Sequence, residues 1–267
     1  MKLAYCAGHC LSTAGKRLPK ALDPAQTREW TLNDRVARAL AAAAKDYDVQ
    51  LLRTDDPTGK RARSIKKRTA LANQWGADVY IDIHHNAGIK LGKGGGVVVY
   101  CDKGDPVGRR YRDAIYSGVI AAGGLRGNRA QPLQEKRYDT MRYAQMPAVL
   151  IECGFMDSAA DAPVILQPEY SEKLGRAILE AVISCRKEVC QVEIPILKKG
   201  AKGGPVKAMQ QLLIASGFDC GPKGDDGSFG AATDKALRAY QKAKGLSADG
   251  VCGPKSWTAL LGAGDEK

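Results

Sequence analysis

The sequence predicts an α/β protein, a mostly parallel twisted sheet flanked by helices on both faces, followed by a small C-terminal three-helix domain. Three observations carry this. Over roughly the first 187 residues, short apolar runs alternate with stretches of helical periodicity. Three of those runs, at 3–7, 79–83 and 148–151, lead into His9, into His84-His85-Asn86 and into Glu152; in open α/β sheets the ligand site lies outside the carboxyl ends of the strands. From Leu197 onward, glycine-rich turns separate short amphipathic segments.

Taken in order, residues 2–7 read as a first strand, which Gly8-His9-Cys10 leaves for a polar loop. Between 28 and 45, Trp30, Leu32, Val36, Leu40 and a run of alanines fit an amphipathic helix. Thr27 is its expected N-cap, which sets Glu29 in the first turn, where the helix dipole favours a carboxylate. A strand at 49–52, a loop at 55–59 and a helix at 61–75 precede the strand that runs into the histidines. A glycine loop at 92–96 opens into a β-branched strand at 96–100, then a helix at 106–122. An irregular basic segment, 124–146, leads to the strand before Glu152, and a helix at 169–186 closes a domain of residues 1–187.

A linker at 188–196, containing Pro195, joins it to a second domain, 197–267. There Val206, Met209, Leu212 and Leu213 have helical spacing, and segment 226–237 can be laid over 249–260. Each carries an Asp-Gly turn, a second glycine, a Thr233 or Ser256 able to cap a helix, and an Ala-Leu pair on the apolar side.

At 267 residues and 44% hydrophobic content, the chain is ordinary for a globular protein. No apolar run approaches the ~20 residues of a membrane helix, and the opening residues show no apolar signal core. This predicts a protein made in the cytoplasm, with no membrane partner. The net charge of +12 predicts attraction to a polyanion. No nucleic-acid motif accompanies it, so nucleic acid is not the expected partner, and the densest basic cluster, 60–68, reads as a solvated helix face. Eight cysteines without a C-x-x-C pair do not form a disulfide scaffold in a chain this long. Cys6 and Cys153 read as small core residues.

Two histidines and a carboxylate make an open zinc site, with a fourth position left for water. The candidates are His9, Glu29 and one of His84 or His85, with Cys10 as an alternative ligand. Glu152 remains as the carboxylate able to exchange a proton with the metal's water, which points to amide hydrolysis. Strand alternation puts Asp82 on the face of Tyr80 and His84, where it can orient the site.

Gly8-His9, Glu29 opening a helix, Arg68 followed by Asn73, Ile83-His84-x-Asn86-Ala87 and the run from Pro147 through Glu152 to Gly154-Phe155 together resemble the zinc-dependent N-acetylmuramoyl-L-alanine amidases of the amidase-3 family. The resemblance spans residues 2–186. It implies zinc ligands at His9, Glu29 and His84, a catalytic Glu152, and cleavage of the amide between the lactyl group of N-acetylmuramic acid and L-alanine of the stem peptide. Arg68, Asn73, Asp82, His85 and Asn86 become candidates for substrate contact or for support of the site. Cys10 stands where the family usually has a second glycine, Asp82 where it has a serine, and Met156-Asp157-Ser158 where it often has an asparagine.

Val206-Lys207-x-x-Gln210, Asp226-Gly227-x-Phe229-Gly230-x-x-Thr233, Tyr240-Gln241 and Gly245-Leu246-x-x-Asp249-Gly250-x-x-Gly253-Pro254 resemble the three-helix peptidoglycan-binding domain. The combination implies an endolysin-like enzyme acting on the cell wall after release, with peptidoglycan and anionic wall polymers as partners. The competing expectations are a secreted or autolytic bacterial amidase, a zinc peptidase cutting within the stem peptide, and a wall-binding protein without turnover.

Overall fold

The structure, a computed structural model, describes residues 1–128, 130–190 and 195–261. Of the expected linker, residues 191–194 lie outside the described residues, as does the end of the C-terminal domain from 262 on. The chain separates into two compact units, Met1–Glu188 and Val189–Lys267.

The first unit is built on six strands, β1 (Lys2–Ala7), β2 (Gln50–Arg53), β3 (Val79–Asn86), β4 (Val98–Cys101), β5 (Leu133–Glu135) and β6 (Ala148–Phe155). They lie in the order β2-β1-β3-β6-β4-β5, with every neighbouring pair parallel except β4 and β6. The central strands carry the continuous apolar runs because both of their faces are covered: Leu3, Val79, Ile81, Ile83, Val149 and Ile151 are fully buried. Its helices are α1 (Glu29–Ala43), α2 (Ile65–Trp75), α3 (Pro106–Ala121), α4 (Asp139–Tyr143), α5 (Ala162–Ile165) and α6 (Pro168–Cys190). On one face Ala4, Cys6, Tyr80 and Leu150 pack with Ala72 of α2 and Met141 of α4. On the other, α6 presses so closely on α1 that a Cβ on Gly175 would lie 2.5 Å from the Leu40 backbone nitrogen. No helix among the described residues is long and apolar enough to cross a membrane.

Several local expectations need correction. β3 and β6 run past their apolar cores, so His84, His85, Asn86 and Glu152 lie within the sheet rather than beyond it. α1 begins at Glu29, so its cap position falls on Arg28, which makes no side-chain cap bond, and Thr27 lies one residue too early, its amide donating to Asp23 Oδ2 at 2.6 Å. Ser64 caps α2 by accepting from Lys67 N at 3.4 Å, so residues 60–64 precede the helix. Arg68 is buried, and the basic cluster is therefore not one solvated helix face. The segment read as irregular holds β5 and α4, which are too short for periodicity to reveal. α6 continues to Cys190, beyond the expected end at Arg186.

The second unit contains α7 (Gly204–Ala215), α8 (Ala231–Ala243) and α9 (Pro254–Leu260) around a core that includes Val206, Met209, Phe229, Leu237, Tyr240 and Trp257. Its internal repeat rests on two buried glutamines. Gln210 Oε1 accepts from Gly227 N at 2.8 Å, while its Nε2 reaches Asp226 Oδ1 at 3.1 Å and Thr233 Oγ1 at 3.0 Å. Gln241 repeats the pattern with Gly250 N at 3.0 Å, Asp249 Oδ1 at 2.9 Å and Ser256 Oγ at 3.0 Å. Thr233 and Ser256 are thus buried partners of these glutamines; the caps of α8 and α9 are Gly230 and Gly253. Gln241→Leu leaves the buried Gly250 amide without its partner and removes one bond from the Ser256 hydroxyl, which keeps Val251 O at 3.4 Å, so we expect a loss of about 1–3 kcal/mol in this unit's stability, read by hydrogen exchange over 204–260. Cys6, Cys10, Cys101, Cys153, Cys220 and Cys252 are free thiols.

Candidate metal and catalytic site

The site begins where β1 meets β3. Gly8 N donates to Ile83 O at 2.8 Å, and a Cβ on Gly8 would fall inside the His84 imidazole, so only glycine fits against that ring. The next residue, His9, sits at φ 66°, a left-handed conformation unusual for a side-chain-bearing residue. Asn33 of α1 holds this turn by donating from Nδ2 to Gly8 O at 3.1 Å. Gly8→Ala is expected to displace His84 and weaken metal binding by more than tenfold, measurable by competition with a chromogenic chelator.

Glu29, the first residue of α1, is fully buried beneath the two rings. Its Oε1 lies 3.0 Å from His84 Nδ1 and 3.3 Å from His9 Nε2. The ligand atoms of His9, Glu29 and His84 all lie within 4.8 Å of one another. A tetrahedral ion with bonds of ~2.0–2.1 Å keeps its ligand atoms ~3.3–3.5 Å apart, close to the separations of Glu29 Oε1 from the two ring nitrogens. Among the described residues Glu29 Oε2 has no hydrogen-bond partner, and the Lys16 ammonium lies 3.5 Å from it. Burial alone would raise the Glu29 carboxyl; hydrogen bonds from His84 and His9 outweigh it and hold the group well below the usual range.

His84 is set from behind. Its Nε2 lies 3.2 Å from Asp82 Oδ1 and its Nδ1 faces Glu29, so the protonated ring donates to both carboxylates, and Asp82 would keep the proton on Nε2 when Nδ1 holds a metal. Burial pulls the His84 pKa down, but Asp82 and Glu29 outweigh it and bring it to about 10. Asp82 is in turn fixed by three elements: Cys6 Sγ of β1 donates to Oδ1 at 2.8 Å, the Thr140 hydroxyl of α4 donates to Oδ2 at 2.5 Å, and the Arg68 guanidinium of α2 lies 3.7 Å away. Burial on its own raises the Asp82 carboxyl; the charges of His84 and Arg68 overcome it and keep the group ionised.

Glu152 reaches the same place from the next strand, because the β3–β6 register pairs His84 with Glu152. Its Oε2 is buried and makes no hydrogen bond among the described residues. Burial pushes the carboxyl up to about 7, with His84 drawing it down and Glu29 adding to the rise. A carboxyl near neutrality both takes and gives a proton easily, which suits acid–base work.

His9, His84, Asp82, Arg68 and Glu152 line one cleft of about 630 Å³. The remaining candidates lie elsewhere. His85 points to the opposite face of the sheet, buried, with Nδ1 2.8 Å from Asn33 Oδ1; burial pushes its pKa down to about 4, so it is neutral and packed rather than substrate-facing. Asn73 fastens the chain after α4, donating to Tyr143 O at 2.9 Å and accepting from Gln145 N at 3.0 Å. Asn86 accepts from its neighbour Ala87 N at 2.8 Å. Cys10 Sγ meets the hydroxyls of Ser12 and Thr13, each at 3.3 Å, and is not in the ligand trio.

Sequence reasoning missed Asn33, Lys16 and Thr140. Asn33 carried a signal: it lies four residues after Glu29, hence on the same helix face, amid apolar neighbours. Thr140 sits in the segment that showed no periodicity, and nothing distinguished Lys16 from other loop lysines.

Comparison with known proteins places these features in context. Residues 5–184 match the family described as N-acetylmuramoyl-L-alanine amidase, and residues 202–260 match a putative peptidoglycan binding domain. The sporulation-specific N-acetylmuramoyl-L-alanine amidase of Bacillus subtilis (strain 168) is 34% identical over 164 residues, covering 58% of this chain and 60% of that protein. The N-acetylmuramoyl-L-alanine amidase CwlL of Bacillus licheniformis is 39% identical over 94 residues, covering 35% of this chain and 26% of that protein. The chain thus spans less than two thirds of these relatives. Among solved structures, an N-acetylmuramoyl-L-alanine amidase from Clostridium difficile 630 superposes with a TM-score of 0.62 at 24% identity, over 70% of this chain and 96% of that one. That likeness is one of fold.

Proposed function

Since the chain belongs to the N-acetylmuramoyl-L-alanine amidase family, we propose that it hydrolyses the amide joining the lactyl group of N-acetylmuramic acid to L-alanine of the stem peptide, with zinc as its metal. The observation that carries this reading is the meeting of His9, Glu29 and His84 at a cleft lined by His9, His84 and Glu152, whose Oε2 has no hydrogen-bond partner among the described residues.

The donor set fits zinc: two imidazole nitrogens and one carboxylate oxygen on three different elements, with the second nitrogen of His84 tied to Asp82. When bound there, zinc supplies a water activated near neutral pH and polarises the scissile carbonyl. The protein's own groups do the rest. His9, Glu29 and His84 fix the position of the metal, Asp82 holds the His84 tautomer, and Glu152 accepts a proton and returns it to the leaving amide nitrogen. The second unit holds the enzyme on peptidoglycan and raises its local concentration there, and the net charge of +12 draws it to anionic wall polymers. An endolysin-like role, with synthesis in the cytoplasm and action on the wall after release, belongs to the same proposal; cells expressing the protein should lyse only when their membrane is permeabilised.

The decisive experiment is product analysis. Purified peptidoglycan digested with the protein should release intact stem peptides with a new L-alanine amino terminus. Mass spectrometry showing a cut inside the peptide would replace this reading with that of a zinc peptidase. Chelation should abolish turnover and zinc restore it. Because the ion binds only the folded site, its removal should also lower stability, by about 4 kcal/mol where free zinc stood at a thousand times its Kd.

A further inference from the structure

A second cavity, of about 780 Å³, opens beside the catalytic cleft. Ala62 and Arg63 line both, so the two adjoin along the chain that leads into α2. This second cavity is strongly cationic. Lys60, Arg61, Arg63 and Lys67 all line it and all are exposed, and among the described residues none of them forms an ion pair with a carboxylate. The carboxylate in the lining, Asp56, is engaged by its own turn: Oδ2 accepts from Arg61 N at 2.9 Å and from the Thr58 hydroxyl at 2.8 Å, and Oδ1 accepts from Thr58 N at 3.1 Å. Arg63 is pre-positioned on the shared wall, its Nη1 donating to Thr54 O at 3.0 Å. Ala70 and Leu71 add an exposed apolar strip to the lining.

From this we infer that the groove is a substrate subsite for the carboxylate-bearing part of the peptide whose amide lies in the catalytic cleft. The inference rests on the amidase reading and names its substrate class: stem peptides with free carboxylates, in preference to those capped as carboxamides. Three features argue for it. The groove adjoins the catalytic cleft, so one extended ligand can occupy both. Among the described residues its cations form no ion pair with a carboxylate, so a ligand carboxylate gains charge-assisted hydrogen bonds without displacing an existing pair. Its apolar strip suits the aliphatic part of a peptide better than it suits a uniformly charged polymer.

The test compares two soluble muropeptides that differ only in whether the distal stem carboxylates are free or amidated, with wild type and with Arg61→Ala/Lys67→Ala. Wild type should favour the free-acid substrate by roughly tenfold in kcat/KM, two exposed charge pairs each contributing a few-fold. The preference should shrink with added salt, and the double variant should lose most of it. Equal rates on both substrates by wild type, a preference retained by the variant, or an equal fall on both substrates in the variant, which would signal general attraction to the wall, each overturns the inference. Failure of the amidase reading looks different: wild type would release no L-alanine amino terminus from either substrate, and the subsite would fall with it.

Discussion

Glu152→Gln should retain its zinc and lose turnover by about 10²- to 10⁴-fold, the contribution typical of a positioned acid–base group. The substitution is nearly isosteric, and among the described residues Glu152 Oε2 makes no hydrogen bond that the change would break. The proposed ligands lie on β3, on α1 and after β1, so the metal's hold is untouched. What disappears is the ability to take up a proton, because an amide cannot. Metal content by elemental analysis and release of L-alanine amino termini measure the two halves of the expectation. Full activity in this variant removes Glu152 from the chemistry.

The same variant carries a stability signature with a definite sign. Burial raises the Glu152 carboxyl to about 7 in the folded protein, while an unfolded glutamate titrates near ~4.3. The protonated form is therefore favoured by folding. That favourable contribution is complete below ~4.3 and is lost as pH rises through about 7. Relative to Glu152→Gln, metal-free wild type prepared by chelation should lose ~3 kcal/mol between pH 4 and pH 8. Denaturant unfolding of both proteins across this window reads the difference directly.

How much of this was legible in the sequence depends on the length scale of each signal. The central strands were visible because burial on both faces demands unbroken apolar runs, and α1, α3 and α6 because their apolar stripes extend over several turns. The short elements β5 and α4 offered too few residues for any period, although α4 delivers Thr140 to the site. Site residues were legible in so far as their type is rare: with only three histidines in the chain, the strand ends drew attention to His9 and His84 at once. Alternation along β3 also separated Asp82 and His84 from His85, whose opposite face only the structure shows to be closed by Asn33. Side chains such as Asn73 and Asn86 belong to the same sequence pattern yet bond to backbone groups, Asn73 to the chain after α4 and Asn86 to its neighbour. A motif records both catalysis and folding, and spacing alone does not separate them.

The largest stability effect is expected at Asp82. Asp82→Ala should destabilise the protein by about 3–5 kcal/mol, because it strands a buried guanidinium. Arg68 and Asp82 are both buried, and the carboxylate also gathers the Cys6 thiol, the Thr140 hydroxyl and the His84 ring. Thr140→Val removes one of these bonds and should cost about 1 kcal/mol. Zinc affinity of Asp82→Ala should fall by about 10- to 100-fold, since His84 loses the partner that fixes its tautomer and its angle. The two losses have separable causes. In Asp82→Asn/Arg68→Met the stranded charge is gone, so most of the stability should return. The amide still offers His84 no carboxylate, so zinc affinity should stay low in a competitive chelator titration. Recovery of both together would mean that Asp82 serves chiefly to neutralise Arg68; recovery of stability alone assigns it to the orientation of His84.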